Sequence, residues 1–160
     1  MFSIFLVVAP GLSFIIMYRW NMISTIEMDD KGERPFPILV MLMYSVVLYL
    51  AMLWVAPAQI SRFILSFPLS GVFVVIAFYF LNKWKKISIH AAGAGIATGF
   101  ILGYTLLHPF YAITLLSVFV VLSGLVMSAR VYLMKHTLFE VTVGWFTGLF
   151  ITFITVLLYA

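Results

Sequence analysis

Apolar residues in this chain run in long, nearly unbroken stretches and show no strand-like alternation with polar ones. Six stretches are separable, at roughly 1–20, 36–56, 62–82, 91–107, 111–128 and 138–159. Most approach the ~20 residues with which an α-helix crosses about 30 Å of hydrocarbon. The fourth and fifth are shorter, and His108-Pro109 between them predicts a turn, because the residue before proline avoids helical geometry. Pro57 falls in the second connection and Pro68 early in the third stretch. Trp20, Trp54, Trp84 and Tyr159 lie near stretch ends, where interfacial aromatic residues collect. The pattern predicts an all-α integral membrane bundle of about six transmembrane helices, forming a single domain over residues 1–160.

Composition agrees with the pattern. The chain is 65% hydrophobic and 9% charged, whereas soluble domains carry about 25% charged residues. The first stretch, MFSIFLVVAPGLSFIIMYRW, has its only charge at the far end and lacks the basic start of a signal peptide. We read it as a span with a break expected at Pro10-Gly11. The absence of cysteine excludes disulfides, thiol catalysis and thiolate metal sites. The net charge of +4 forms no soluble basic face, so no nucleic-acid partner is expected.

The six spans sort the connections by side. If the end of the first span defines side A, then 21–35, 83–90 and 129–137 all fall on side A. The connections 57–61 and 108–110 fall on side B, with both ends of the sequence. Lys31, Arg34, Ser88, His90, Arg130 and His136 therefore share one face, although they come from three distant segments. His108 and Arg62 lie on side B; His108 is read as structural and Arg62 as a snorkelling helix-end residue. Lys83, Lys85 and Lys86 are read as a headgroup-facing anchor.

Two other features have structural and functional readings. The 21–35 connection holds Glu27, Asp29, Asp30 and Glu33, which suit a solvated loop with internal charge pairs and have no recognised metal-ligand spacing. Ala91, Gly95 and Gly99 recur every four residues, as do Gly144 and Gly148, which suits close helix approach in a membrane. The stretch GAGIATG does not fit a dinucleotide loop, because position 98 is threonine and no strand precedes it.

The chemically richest stretch is Arg130–Glu140, RVYLMKHTLFE. His136 and Glu140 are four apart and share a helix face, so the carboxylate can hold one ring nitrogen and leave the other to act. Arg130 precedes His136 with five residues between and offers a permanently charged fork suited to phosphate.

Taken together, KGERP at 31–35, SIH at 88–90 and SARVYLMKHTLFE at 128–140 resemble the three-part signature of the type-2 phosphatidic-acid phosphatase superfamily. These are membrane phosphatases related to vanadium-dependent haloperoxidases. The resemblance keeps the arginine-to-histidine spacing, the carboxylate four beyond the histidine and a serine two before the middle histidine. It differs in having Glu140 for aspartate, Ile87 and Ile89 around Ser88, Ala129 between Ser128 and Arg130, and Lys31 closer to Arg34. What it implies is a metal-independent hydrolase of phospholipid metabolism that uses no cofactor. His136 would be the nucleophile of a phosphohistidine, Glu140 its orienting group and His90 the general acid–base. Lys31, Arg34, Ser88 and Arg130 would bind phosphate.

The implied partners are membrane lipids and a lipid phosphate substrate, such as phosphatidate, phosphatidylglycerophosphate, a polyprenyl pyrophosphate or a lipid-A-like phosphate. The competing class is a non-enzymatic membrane protein, a small transporter or an anionic-lipid binder that keeps the basic pocket. Placement in the cell (inner) membrane is expected. Lys and Arg favour side A by eight to one, which suggests a cytoplasmic site. The resemblance suggests an outward-facing one, and both orientations stay open.

Overall fold

The computed structural model describes residues 8–25, 31–55, 60–107 and 109–160. All the regular structure in them is helical: α1 (Ala9–Arg19), a short 3-10 turn (Lys31–Glu33), α2 (Pro35–Val55), α3 (Arg62–Trp84), α4 (Ile89–Leu107), α5 (Pro109–Tyr132) and α6 (Leu138–Tyr159). The last five are long and apolar enough to cross a bilayer. The chain is a helical, multi-pass membrane bundle. The described part of the first predicted span is the 11-residue α1, about 16 Å long at helical rise. Pro10 sits in its first turn, so no break follows Gly11.

Three spans are longer than their apolar runs. α3 has 23 residues, α4 has 19 and α5 has 24, because α3 continues to Trp84, α4 begins at Ile89 and α5 continues through Arg130 to Tyr132. Polar residues inside a final turn do not interrupt backbone hydrogen bonding, so hydropathy underestimates helix length there. Pro68 lies inside α3 without ending it. Pro57 and His108 lie outside the described residues.

α3, α4 and α6 form the centre of the bundle, with α2 against α3 and α5 against α4. α4 and α6 are the most extensively packed pair. Their backbones meet through the glycine positions: a methyl group on Gly95 would collide with the Trp145 carbonyl, on Gly99 with the Leu149 carbonyl and on Gly148 with the Ala92 carbonyl. One on Gly144 would stand 2.7 Å from the Ser88 carbonyl oxygen. Without a hydrophobic drive between helices in lipid, this close approach supplies the packing attraction that holds them.

Polar groups within the membrane are mostly satisfied locally. Thr98 on α4 and Ser123 on α5 share a 2.8 Å hydrogen bond. Tyr49 on α2 and Tyr159 on α6 share one of 2.9 Å at the side B end. Ser66 and Ser70 donate to the Phe63 and Phe67 carbonyls of their own helix. Such pairing is what hydrocarbon demands of buried hydroxyls. Two of the three buried apolar clusters among the described residues, Val74 with Phe78, Ile87 and Ala92, and Leu48 with Met52 and Leu65, lie toward sides A and B respectively, and the third pairs Met17 with Ile23.

Candidate functional site

The ends of α2 to α6 converge on side A, where the α5–α6 connection is held by a run of backbone hydrogen bonds. α5 ends in a Schellman arrangement: Lys135 N–H donates to the Arg130 carbonyl at 3.1 Å and Met134 N–H to the Val131 carbonyl at 3.0 Å. Met134 adopts φ 54°, the left-handed position usually filled by glycine. His136 N–H also donates to the Arg130 carbonyl, at 3.3 Å. The tight turn thus folds His136 back onto the end of α5.

Thr137 and Glu140 then start α6 as a reciprocal capping box. Glu140 N–H donates to Thr137 Oγ1 at 3.3 Å, and Thr137 N–H donates to Glu140 Oε2 at 3.1 Å. The sequence Thr-x-x-Glu before an apolar run is the signature of this cap. Glu140 Oε2 also lies 3.1 Å from His136 Nδ1.

His136 Nδ1 has a second acceptor, the Lys86 carbonyl, also at 3.1 Å. Both neighbours only accept, so Nδ1 carries the proton and Nε2 of the neutral ring keeps its lone pair. The imidazole is 4% exposed. Burial holds its pKa below the ordinary histidine value; the Glu140 hydrogen bond opposes that shift, and the Arg34 charge adds to it. The neutral form is the favoured one.

The 86–91 segment is pinned to the same place. Ser88 N–H donates to the Glu140 carbonyl at 3.3 Å, and the Ser88 hydroxyl oxygen accepts from Ala91 N–H at 3.3 Å, capping α4. The close α4–α6 contact at Gly144 makes this possible, since any side chain there would push Ser88 away. Ser88 is fully buried. His90, the second residue of α4, is exposed, outside the buried part of the cluster.

Arg34 enters from the start of α2. Pro35 keeps Arg34 out of the helix and supplies a preset first turn. The Arg34 side chain is buried, and its Nη1 donates to Asn82 Oδ1 at 3.0 Å and to the Ile87 carbonyl at 3.2 Å. Asn82 Nδ2 in turn donates to the Phe78 carbonyl at 3.0 Å. A charge this deeply placed needs such partners. Glu33 accepts from the Ser24 N–H at 2.8 Å and the Ser24 hydroxyl at 3.0 Å.

Of the residues singled out in the sequence, the structure gathers His136, Glu140, Ser88 and Arg34 into one buried cluster, with the Arg130 backbone beneath His136. Arg130 lies in the last turn of α5, on the helix and not in a loop. Lys31 is in the 3-10 turn, and nothing of its side chain is described. Glu27, Asp29 and Asp30 lie outside the described residues. Asn82 and the Lys86 carbonyl are new to the cluster. The first had one signal, a lone amide near the end of an apolar run; a carbonyl has none. Among known proteins, no family model matches the chain, and no curated protein or solved structure shows significant similarity to it.

Proposed function

We propose that this protein is an integral-membrane phosphatase acting on a lipid phosphate or pyrophosphate through a phosphohistidine. One observation carries the reading: a buried, neutral His136 whose Nδ1 proton is held by Glu140 and the Lys86 carbonyl, which reserves the Nε2 lone pair for attack. In the proposed sequence Nε2 bonds to phosphorus as the bond to the lipid oxygen breaks, and protonated His90 gives its proton to the departing oxygen. Neutral His90 then takes a proton from water, whose oxygen attacks phosphorus. The phosphorus–nitrogen bond breaks, phosphate leaves and both histidines return to their starting states. Arg34, Arg130, Lys31 and Ser88 would spread the charge on the phosphoryl oxygens, so the reaction would need no metal. The location at the ends of apolar helices supports a lipid substrate, whose headgroup meets the cations while its chains stay in the bilayer.

One observation favours a second reading. Arg34 Nη1 and the Ser88 hydroxyl oxygen are engaged within the protein, as in an anionic-lipid binder that performs no reaction. Phosphate release from phosphatidate in vesicles, measured for the parent and His136→Ala, separates the two. The phosphatase reading expects release that His136→Ala abolishes. Lipid binding without release, or release unchanged by His136→Ala, overturns it.

A further inference from the structure

Two cavities stack along the α2–α3 seam. The upper one, about 190 Å³, lies at the side A surface and is lined by Arg34, Tyr79, Asn82 and Lys83 with Gly32, Pro35 and Ile38. The Lys83 ammonium lies 4.7 Å from the Tyr79 ring centre at its rim. The lower one, about 110 Å³, lies a turn deeper between α2, α3 and α4, and every residue lining it is apolar. Ile38 lines both.

Gly93 lines the lower cleft and differs from the other α4 glycines. Gly95, Gly99 and Gly103 lie against α6, where a side chain would collide. A methyl group on Gly93 would meet nothing within 4 Å. Glycine within a helix costs about 0.5–1 kcal/mol relative to alanine, and at Gly93 no close backbone contact offsets that. What the missing side chain leaves is space in the cleft wall, opposite Met41 and Ile38 on α2.

We infer that this cleft seats one hydrocarbon chain of the lipid phosphate, with its headgroup in the cavity above. This rests on the phosphatase reading for the identity of the headgroup but not for the fit of the chain. The cleft runs from the start of α4 at Ile89 about two turns into the bundle, to Ile96, and no polar side chain lines it, so a hydrocarbon chain meets only apolar side chains on entering it. The cavity above carries two cationic side chains, the complement of a phosphate. A single amphiphile spans the two environments in the order in which they are stacked. Gly93 sets the width of the cleft and thereby selects for lipid over water-soluble phosphates.

The test uses the full-length protein in phosphatidylcholine vesicles. Hydrolysis of dipalmitoyl phosphatidate is compared with that of glycerol 3-phosphate, which has no chain, for the parent, Gly93→Leu and Met41→Trp. Filling the cleft from either wall should lower the lipid to water-soluble rate ratio by at least about tenfold, the usual effect of excluding an apolar group from its pocket. An unchanged ratio in both variants overturns the chain seat and leaves the phosphatase reading standing. A second arm does not depend on turnover: phosphatidate with a photoreactive diazirine on a chain carbon close to the glycerol is irradiated in the same vesicles. Labelling of the Ile38–Met41 and Ile89–Ile96 segments, lost in Gly93→Leu, supports the seat even if no phosphate is released. Labelling spread evenly over the lipid-facing helices overturns it.

Discussion

One oxygen of Glu140 serves two hydrogen bonds at once: Oε2 accepts from the Thr137 backbone N–H and lies 3.1 Å from His136 Nδ1. The cap that starts α6 and the orientation of the imidazole therefore share an atom. Any change at Glu140 acts on both, and the chemistry of the replacement decides which is lost.

Glu140→Gln keeps a carbonyl oxygen at the same reach and remains a good capping-box residue. It loses only the charge that stabilises an imidazolium as His136 reacts. Turnover should fall strongly while KM and thermal stability change little. Glu140→Ala loses the cap as well and should cost about 1 kcal/mol of stability. Glu140→Asp restores charge on a shorter arm that cannot reach Thr137 N–H and His136 in the same geometry, so it should lose both activity and stability. Kinetic constants on a short-chain lipid phosphate and melting temperatures in detergent separate these cases. A Glu140→Gln variant as active as the parent leaves Glu140 a cap and nothing more.

The pH dependence follows from the burial of His136. Its folded-state pKa is lowered below the unfolded value of 6.5. The stability contributed by keeping this ring neutral is present above the unfolded pKa and is lost as pH falls through the folded one. The acid limb of kcat/KM should therefore lie below the range of an ordinary histidine, and melting temperature should drop over the same interval. Replacing His136 with glutamine should remove that part of the melting-temperature slope. An acid limb at or above 6.5 would show that burial does not govern the titration of His136.

His90 is exposed where His136 is buried, which suits a group that must pick up and release protons in water. Its loss should matter in proportion to the need for a general acid. His90→Ala should lower hydrolysis of alkyl phosphates by about a hundredfold to ten-thousandfold, and of aryl phosphates much less. Equal losses on both substrates would make His90 a binding residue.

Much of this arrangement was legible in the sequence because it is local. The four-residue glycine rhythm translates directly into helix faces, and the hydropathy runs locate the spans. His136 and Glu140 meet as their spacing expects, but His136 precedes the N-cap Thr137 and lies outside α6, so the contact comes from the cap and not from a shared helix face. What stayed hidden is carried by backbone atoms or by pairs distant in sequence. The Lys86 carbonyl becomes a partner of His136 only because α4 and α6 approach closely at Gly144 and Gly148. Arg34 meets Asn82 across 48 positions, and neither residue type announces the other. α5 outlasts its apolar run for a different reason: hydropathy falls at Ser128–Arg130, but helical hydrogen bonding continues to Tyr132.

The glycine contact that aligns the site should be intolerant of bulk. Gly148→Leu places its side chain against the Ala92 backbone, and Gly144→Leu does the same at Ser88. Backbone cannot yield as a side-chain end can, so each should destabilise the bundle by at least about 1–3 kcal/mol. Gly124→Leu on α5, where nothing lies within 4 Å, is the matched control and should be neutral. Comparable melting temperatures for Gly148→Leu and Gly124→Leu would show that α4 and α6 are not held by this contact.

Asn82 separates two roles for Arg34. If the Arg34–Asn82 bond is only a strut between α2 and α3, any replacement that keeps an acceptor at Oδ1 should be harmless. If it aims a charge at bound phosphate, the charge itself must be preserved. Asn82→Asp distinguishes these: the acceptor stays and becomes a carboxylate, which holds the guanidinium more firmly but neutralises it, and the Nδ2 bond to Phe78 is given up. Melting temperature should be kept, while KM and the vanadate inhibition constant should rise, because an anion now meets a paired cation. Asn82→Leu removes the acceptor and leaves a buried charged group short of one partner, costing about 1–3 kcal/mol or more. It should lower stability and turnover together. Vanadate inhibition and melting temperatures measured on both variants decide the matter. If Asn82→Asp binds vanadate as tightly as the parent, Arg34 is a strut, and phosphate binding rests on Arg130 and the remaining cations of side A.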